Sequence, residues 1–231
     1  METIRLTPRL LAVGEMVRPG ARVADVGTDH GYLPLALAKR GYPGALIAAD
    51  IGVGPLNAAK RNAAEAGLEQ RIRFLLCDGL ERCQPEAVDT IVIAGMGGDT
   101  ICGILDRAEW VLDPHYTLLL QPMTRAEVLR YWLTNNGFSI LEERLVRDNG
   151  AIYALLRARF GGESKLTDAE LYTGAFPLIE REALWPEFLS LQLRRLEKSI
   201  AGLEQGERDP GRLRLLRGIF RELKERESCQ A

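Results

Sequence analysis

Asp25, Asp50 and Asp78 each close a short apolar run, in "VADVG", "LIAADI" and "LLCDGL". If those runs are neighbouring parallel strands, the three carboxylates stand at strand tips, where open sheets bind ligands. Singly, an acid in such a place is most often a helix cap or a turn former. Three at successive tips point to a ligand instead. The first opens "DVGTDHGYLP", where Gly27 follows the strand and Asp29 and His30 occupy the approach to the next helix. A dinucleotide needs G-x-G-x-x-G so that its pyrophosphate can rest on a helix N-terminus, and an acid at position 25 repels phosphate. A ligand that carries positive charge suits this turn, and Gly27 lets it approach the backbone closely.

S-adenosylmethionine is such a ligand. Its sulfonium and ammonium favour Asp25 and nearby carbonyls, its ribose hydroxyls suit Asp50, and its adenine amino group suits Asp78. The flanking residues Ile51, Gly79 and Ala94 are assigned to the cofactor with them. A second stretch, "TIVIAGMGGDT" from Thr90 to Thr100, runs a strand into three glycines within four residues. Methyltransferases of this architecture that act on amino groups often carry an acid or asparagine, prolines and an aromatic here to clamp an exocyclic amine. Gly95, Gly97 and Gly98 form no such clamp. Their bare backbone allows close approach of a substrate and a cofactor, with Met96 bounding the pocket. A glycine turn that lets the next helix start against the sheet fits the same residues.

The elements that must position these groups are legible in the pattern. Strands are expected at Arg22 to Val26, Ala45 to Asp50, Ile72 to Cys77, Thr90 to Ala94 and Thr117 to Gln121, separated by helices that prolines open and glycines close. Such alternation predicts an α/β fold, a mostly parallel sheet covered by helices on both faces. After a helix near Arg125 to Asn135, "FSILEERLV" and "AIYALLRARF" flank Asn149-Gly150, a hairpin signal, so the sheet is expected to end in an antiparallel pair. Past Gly161-Gly162 the sequence is charged and helical. It predicts two units, residues 1–160 and an all-α unit over 161–231. In the latter, Leu189, Leu193, Leu196, Ile200 and Leu203, then Leu213, Leu216, Phe220 and Leu223, form two apolar stripes expected to pair as an antiparallel coiled coil. Arg214, Arg217, Arg221 and Lys224 form a cationic ridge beside the second stripe, either a phosphate-binding strip or a solvated face interleaved with glutamates.

Composition narrows the classes. The 231 residues suffice for one substantial core, and a formal charge of −2 gives no global basic field, so an RNA partner requires local patches. The start, "METIRLTPRLLAVGEM", lacks the apolar core of a signal peptide, and no run approaches the roughly 18 apolar residues of a membrane span. A cytoplasmic protein without membrane contact is expected. Cys77, Cys83, Cys102 and Cys229 show no C-x-x-C pairing, and with only His30 and His115 beside them no metal site is expected; the cysteines read as buried reduced thiols.

Taken together, "DVGTDHGYLP", "DGL" at 78–80, "IAGMGG" at 93–98, "LQP" at 120–122 and the hairpin after Asn136 resemble the TrmK family, bacterial tRNA (adenine-N1)-methyltransferases that act on an adenine in the D-arm region. The likeness runs over nearly the whole chain. Thr28 and Gly31 stand where serine and alanine are frequent in the family. The resemblance implies a class I Rossmann-like methyltransferase domain with a coiled-coil C-terminal domain, S-adenosyl-L-methionine as cofactor and tRNA as partner. A small-molecule methyltransferase whose helical tail forms a lid or dimer contact is the alternative. The chain is expected to be a monomer.

For adenine N1 no proton must leave before attack, so a carboxylate that favours the developing cation is more useful than a base. Asp29 is the candidate catalytic residue; capping the first helix or holding the methionine ammonium are rival duties. His30 is assigned beside the cofactor or the base, with fixing of the turn as an equal alternative, and Tyr32 is assigned to the cofactor beside it. Arg9, just after Pro8 and near Arg5, Arg18 and Arg22, is placed to reach the cofactor carboxylate or tRNA phosphate.

Overall fold

Strands β1 (Val23–Val26) and β2 (Leu46–Asp50) are buried at every position. That is the pattern of parallel strands covered on both faces, and it explains their unbroken apolar character. The computed structural model describes residues 5–163, 165–206 and 209–228. With β3 (Ile72–Leu76), β4 (Thr90–Gly97), β5 (Thr117–Thr124), β6 (Phe138–Asp148) and β7 (Ala151–Phe160), they form one sheet in the order β3-β2-β1-β4-β5-β7-β6. β1 to β5 run parallel, while β7 is antiparallel to both β5 and β6.

α1 (Pro8–Met16) precedes β1, and the helices between strands are α2 (Tyr32–Lys39), α3 (Val53–Glu65), α4 (Gly98–Asp106) and α5 (Ala126–Asn135). α1 begins at Thr7, whose hydroxyl accepts from the Leu10 amide and which precedes a proline that has no amide hydrogen to cap. The β6–β7 hairpin turns at Asn149 and Gly150, with φ of 47° and 77°, and Asp148 pairs with Ala151. Both central residues are left-handed, which is why this dipeptide signals the turn so strongly.

β4 differs from its expected extent. It continues past Ala94 to Gly97 through two compensating bulges. Ala94 pairs with Gln121, Met96 with Pro122 and Gly97 with Thr124, so Gly95 is one residue extra on β4 and Met123 one extra on β5. Gly95 takes φ of 84°, which a glycine accepts without strain, and its amide bonds to the Gln121 side chain at 3.1 Å in place of a ladder carbonyl.

After the sheet come α6 (Asp168–Thr173), α7 (Phe176–Ile179), α8 (Trp185–Gln205) and α9 (Pro210–Ser228). α8 and α9 lie side by side, Arg217 bonding back to Glu204 across the antiparallel pair. Leu189, Leu193, Leu196 and Leu223 of the expected stripes are buried, and Ile200, Leu203, Leu213, Leu216 and Phe220 are half-buried. These helices are not packed separately from the sheet. Phe176, Ile179, Trp185, Phe188 and Leu189 belong to the same continuous apolar core as Ile93, Leu118, Leu156 and Phe138. Among the described residues no helix is long and apolar enough to cross a membrane.

An ion pair clamps the junction. Arg130 of α5 meets Glu143 of β6 at 2.8 Å, with side chains 1% and 0% exposed. Arg130 also donates to the carbonyls of Leu171 and Thr173, and Glu143 accepts from the Ala175 amide at 3.0 Å. Gly174 between them has φ of 125°, and a methyl group there would lie 2.8 Å from a Glu143 carboxylate oxygen. Replacing Arg130 by methionine strands a buried charge and should cost about 3–5 kcal/mol in urea denaturation. The double variant Arg130→Met/Glu143→Leu should recover only part of that loss, because the Ala175 amide and the Leu171 and Thr173 carbonyls lose their partners with the pair.

Candidate active site

The sheet order reverses between β1 and β4: β2 and β3 follow on one side, β5 on the other. Chains leaving these two tips diverge, and a crevice opens at this switch point. There lies a cleft of about 970 Å³ that brings together Arg9, Asp25, Gly27, Asp29, Tyr32, Asp50, Ile51, Asp78, Gly79, Ala94, Gly95 and Met96. His30, Gly97 and Gly98 do not line it.

Asp25 is 5% exposed, and its carboxylate accepts from the Thr28 hydroxyl at 2.6 Å. Burial pushes its pKa from 3.8 up to about 6, against the Thr28 hydrogen bond and with the help of the Asp50 charge. Asp50 ties the first loop to the tip of β2: one oxygen accepts from the Asp29 amide at 3.0 Å, the other from the Gly52 amide at 2.8 Å. Each oxygen keeps a further lone pair for a hydroxyl. Asp78 is half exposed and bonds through Oδ1 to Arg107 at 3.0 Å, leaving Oδ2 free among the described residues.

The loop after β1 is shaped by backbone strain. Gly27 has φ of 70°, and a methyl group added to it would lie 2.1 Å from Cε of Met96, which leans across from β4. Asp29 has φ of 53°, one of three described non-glycine residues with positive φ; strain of this kind persists where surrounding structure over-determines it. Its side chain is exposed. The helix-capping duty is not what Asp29 performs here, because α2 is capped at Gly31 with no side-chain bond. The His30 ring stacks on Tyr32, centroids 5.4 Å apart, and the His30 carbonyl accepts from Asn62. His30 thus fixes the loop while Tyr32 faces the cleft.

On the opposite wall nothing lies within 4 Å of where a side chain at Gly95 would start, so its missing Cβ leaves open space in the cleft. Gly98 serves packing: a methyl group there would sit 2.2 Å from the Arg125 carbonyl, so only glycine lets α4 begin against the start of α5. Arg9 is held by Asp148 at 2.7 Å and by Gln121 at 2.8 Å, over the Tyr153 ring. Arg214, Arg217, Arg221 and Lys224 lie on the exposed face of α9 and do not line the cleft; Arg217 bonds to Glu204 and Lys224 to Glu227. Cys77, Cys83 and Cys102 are buried free thiols, with burial pushing Cys83 up to about 12 and Cys102 up to about 11. Cys229 lies outside the described residues.

Sequence reading missed Thr28, Asp99, Thr100 and Arg107, which also line the cleft. Asp99 and Thr100 carried a signal, since a helix that starts straight after a strand tip puts its first turn at the site. Arg107, a helical turn and more away, carried none.

A methyltransferase domain family model matches residues 6–156. The chain is 31% identical to the tRNA (adenine(22)-N(1))-methyltransferase of Bacillus subtilis over 89% of its own length and 88% of that protein. The crystal structure of the B. subtilis m1A22 tRNA methyltransferase TrmK superposes with a TM-score of 0.78 at 29% identity, covering 98% of this chain and 97% of the other. Streptococcus pneumoniae Sp1610, solved in complex with S-adenosyl-L-methionine, also gives a TM-score of 0.78, at 30% identity over 96% and 100% of the two chains.

The raised Asp25 pKa has a stability signature. An acid that binds its proton more tightly when folded loses stability as pH rises from about 4 to its folded value near 6. Above that the full penalty stands, on the order of 3 kcal/mol. Asp25→Asn should therefore match wild type in denaturant melts at pH 4 and exceed it increasingly up to pH 7.

Proposed function

Because the chain belongs to the TrmK family of tRNA (adenine-N1)-methyltransferases, we propose how its cleft performs that family's reaction. The protein transfers a methyl group from S-adenosylmethionine to N1 of an adenine in tRNA. One observation carries the assignment of the site: three strand-tip carboxylates and the Gly95 backbone of β4 converge on one cleft.

When bound, S-adenosylmethionine supplies a methyl carbon made electrophilic by a positively charged sulfur. Its requirements fit the residues present. Ionised Asp25 and the backbone around Gly27 would hold the cationic methionine end, and Arg9, whose Nη2 has no partner among the described residues, its carboxylate. The remaining lone pairs of Asp50 would take the ribose hydroxyls. Oδ2 of Asp78, steadied by Arg107, would take the adenine amino group.

At the acceptor side the protein's task is positioning. Adenine N1 presents an in-plane lone pair, so no side chain must remove a proton; alignment supplies much of the rate. Gly95 leaves room for the base to lie flat against β4. Asp29, at the mouth of the cleft, places a carboxylate where 1-methyladenine acquires its positive charge. Reaching N1 requires extruding the nucleotide from the folded RNA, at a cost of a few kcal/mol. We assign the offsetting grip to residues 161–231, where Arg214 and Arg221 on α9 make no ion pair among the described residues. The reading makes the protein a cytoplasmic monomer.

Labelled S-adenosylmethionine with unmodified tRNA, followed by mapping, should place the label on N1 of one adenine. Label only on small metabolites would reject the reading. Asp29→Ala should lower kcat about tenfold with cofactor affinity kept; a collapse of affinity would move Asp29 to the methionine ammonium. Cofactor affinity should weaken as pH falls below about 6, where Asp25 gains its proton, and Asp25→Asn should flatten that profile.

A further inference from the structure

A second cavity, of about 170 Å³, lies where the end of β5, the start of α5, β7 and α8 meet. It is walled by Tyr153, Tyr172, Gln192, Arg125, Arg195 and Glu127. Gln192 is only 7% exposed, yet its carboxamide makes no hydrogen bond among the described residues. The carboxamide is not sealed from solvent, since Trp185 Nε1 is the one fully buried side-chain polar atom without a partner among the described residues, so its donor and acceptor stay available to a ligand in the cavity.

The cavity adjoins the cofactor cleft through two direct contacts. Arg9 lines the cleft, and its guanidinium lies 3.0 Å from Met123 Sδ and 5.1 Å from the Tyr153 ring centre, both walls of the cavity. Asp99 lines the cleft and bonds at 2.9 Å to Arg125, which walls the cavity. The two sites are therefore neighbours that share a wall.

We infer that this cavity is a base-reading subsite for a nucleotide neighbouring the target adenine in the same RNA. The inference rests on the tRNA methyltransferase reading above. At about 170 Å³ the space falls below the roughly 300 Å³ at which pockets for whole small ligands begin, and suits a single planar ring. Unpaired bases are recognised by stacking on aromatic rings and by hydrogen bonds to their edges. Tyr153 and Tyr172 supply rings, and the Gln192 carboxamide offers both a donor and an acceptor to a base edge. Arg195, exposed at the rim without an ion pair among the described residues, suits the adjoining phosphate. The Glu127 carboxylate on the same wall favours a base edge that donates.

The test uses the full chain, intact unmodified tRNA and a panel of transcripts that each lack one base beside the target adenine. Gln192→Met keeps volume while removing both hydrogen-bonding atoms. It should lower kcat/KM on intact tRNA about tenfold, leave KM for S-adenosylmethionine unchanged, and become indifferent to the one missing base that costs wild type about tenfold. Wild-type kinetics in the variant would overturn the subsite, as would a loss that multiplies with every missing base alike. If Gln192→Met does not fold, Tyr172→Leu is judged by the same cycle. If wild type methylates no tRNA, the functional reading fails and this inference with it; if it does and the cycle shows no coupling, only the subsite fails.

Discussion

β1 and β4 lie side by side, yet the connections leaving them must go to opposite halves of the sheet. Backbone cannot fill the gap this creates at their tips, and the whole site is built into it. Buried strands bring Asp25 and Asp50 to the rim at fixed spacing, while Asp29 and Gly52 amides hold the Asp50 carboxylate from both sides. On the facing wall the extra residue at Gly95 bends β4 without ending it, and the extra residue at Met123 restores the register. The wall is therefore rigid sheet, not loop. A rigid wall suits a reaction whose rate depends on alignment more than on proton transfer.

The second constraint is the buried Arg130–Glu143 pair. An ion pair this deep is weak evidence for stability in itself, since an apolar pair of the same volume is often as stable. Its geometry is more telling. Each partner bonds to backbone of the 171–175 segment, so that segment has one way to leave the sheet, and α8 starts where Trp185 and Phe188 join the main core. The helical region is thereby held in fixed relation to the cleft. Arg130 also walls the second cavity, so the clamp that orients the helices helps to shape the space between the two regions.

Much of this was readable before the chain was folded. Parallel strands buried on both faces announce themselves as unbroken apolar runs, and Asn149-Gly150 announced its turn because few other dipeptides tolerate two left-handed residues. The carboxylates at 25, 50 and 78 were legible through their register with strand ends. Less legible were the features that depend on a partner distant in sequence. Ending β4 at Ala94 followed from its glycines, which look like a loop; the Gln121 side chain that bonds the Gly95 amide is what keeps the strand going. His30 allowed two readings, a ligand-facing ring or a residue that fixes the turn, and only the folded chain shows its ring stacked on Tyr32.

The sequence by itself determined which elements form, which face of each is apolar, and which residues stand at the strand tips, because periodicity and turn chemistry are local. Motif spacing also carried the kind of cofactor, since an acid in the first turn excludes a pyrophosphate there. Tertiary structure alone decided what each charged group does. Arg9 and Arg107 are both surface-type residues in sequence, yet one is locked by Asp148 and Gln121 and the other steadies Asp78. Gln192 carries no signal in the sequence, yet it lies buried without a hydrogen bond among the described residues, in a cavity that exists only once α8, β5 and β7 come together. Pairings of this kind join residues far apart along the chain, and no local pattern encodes them.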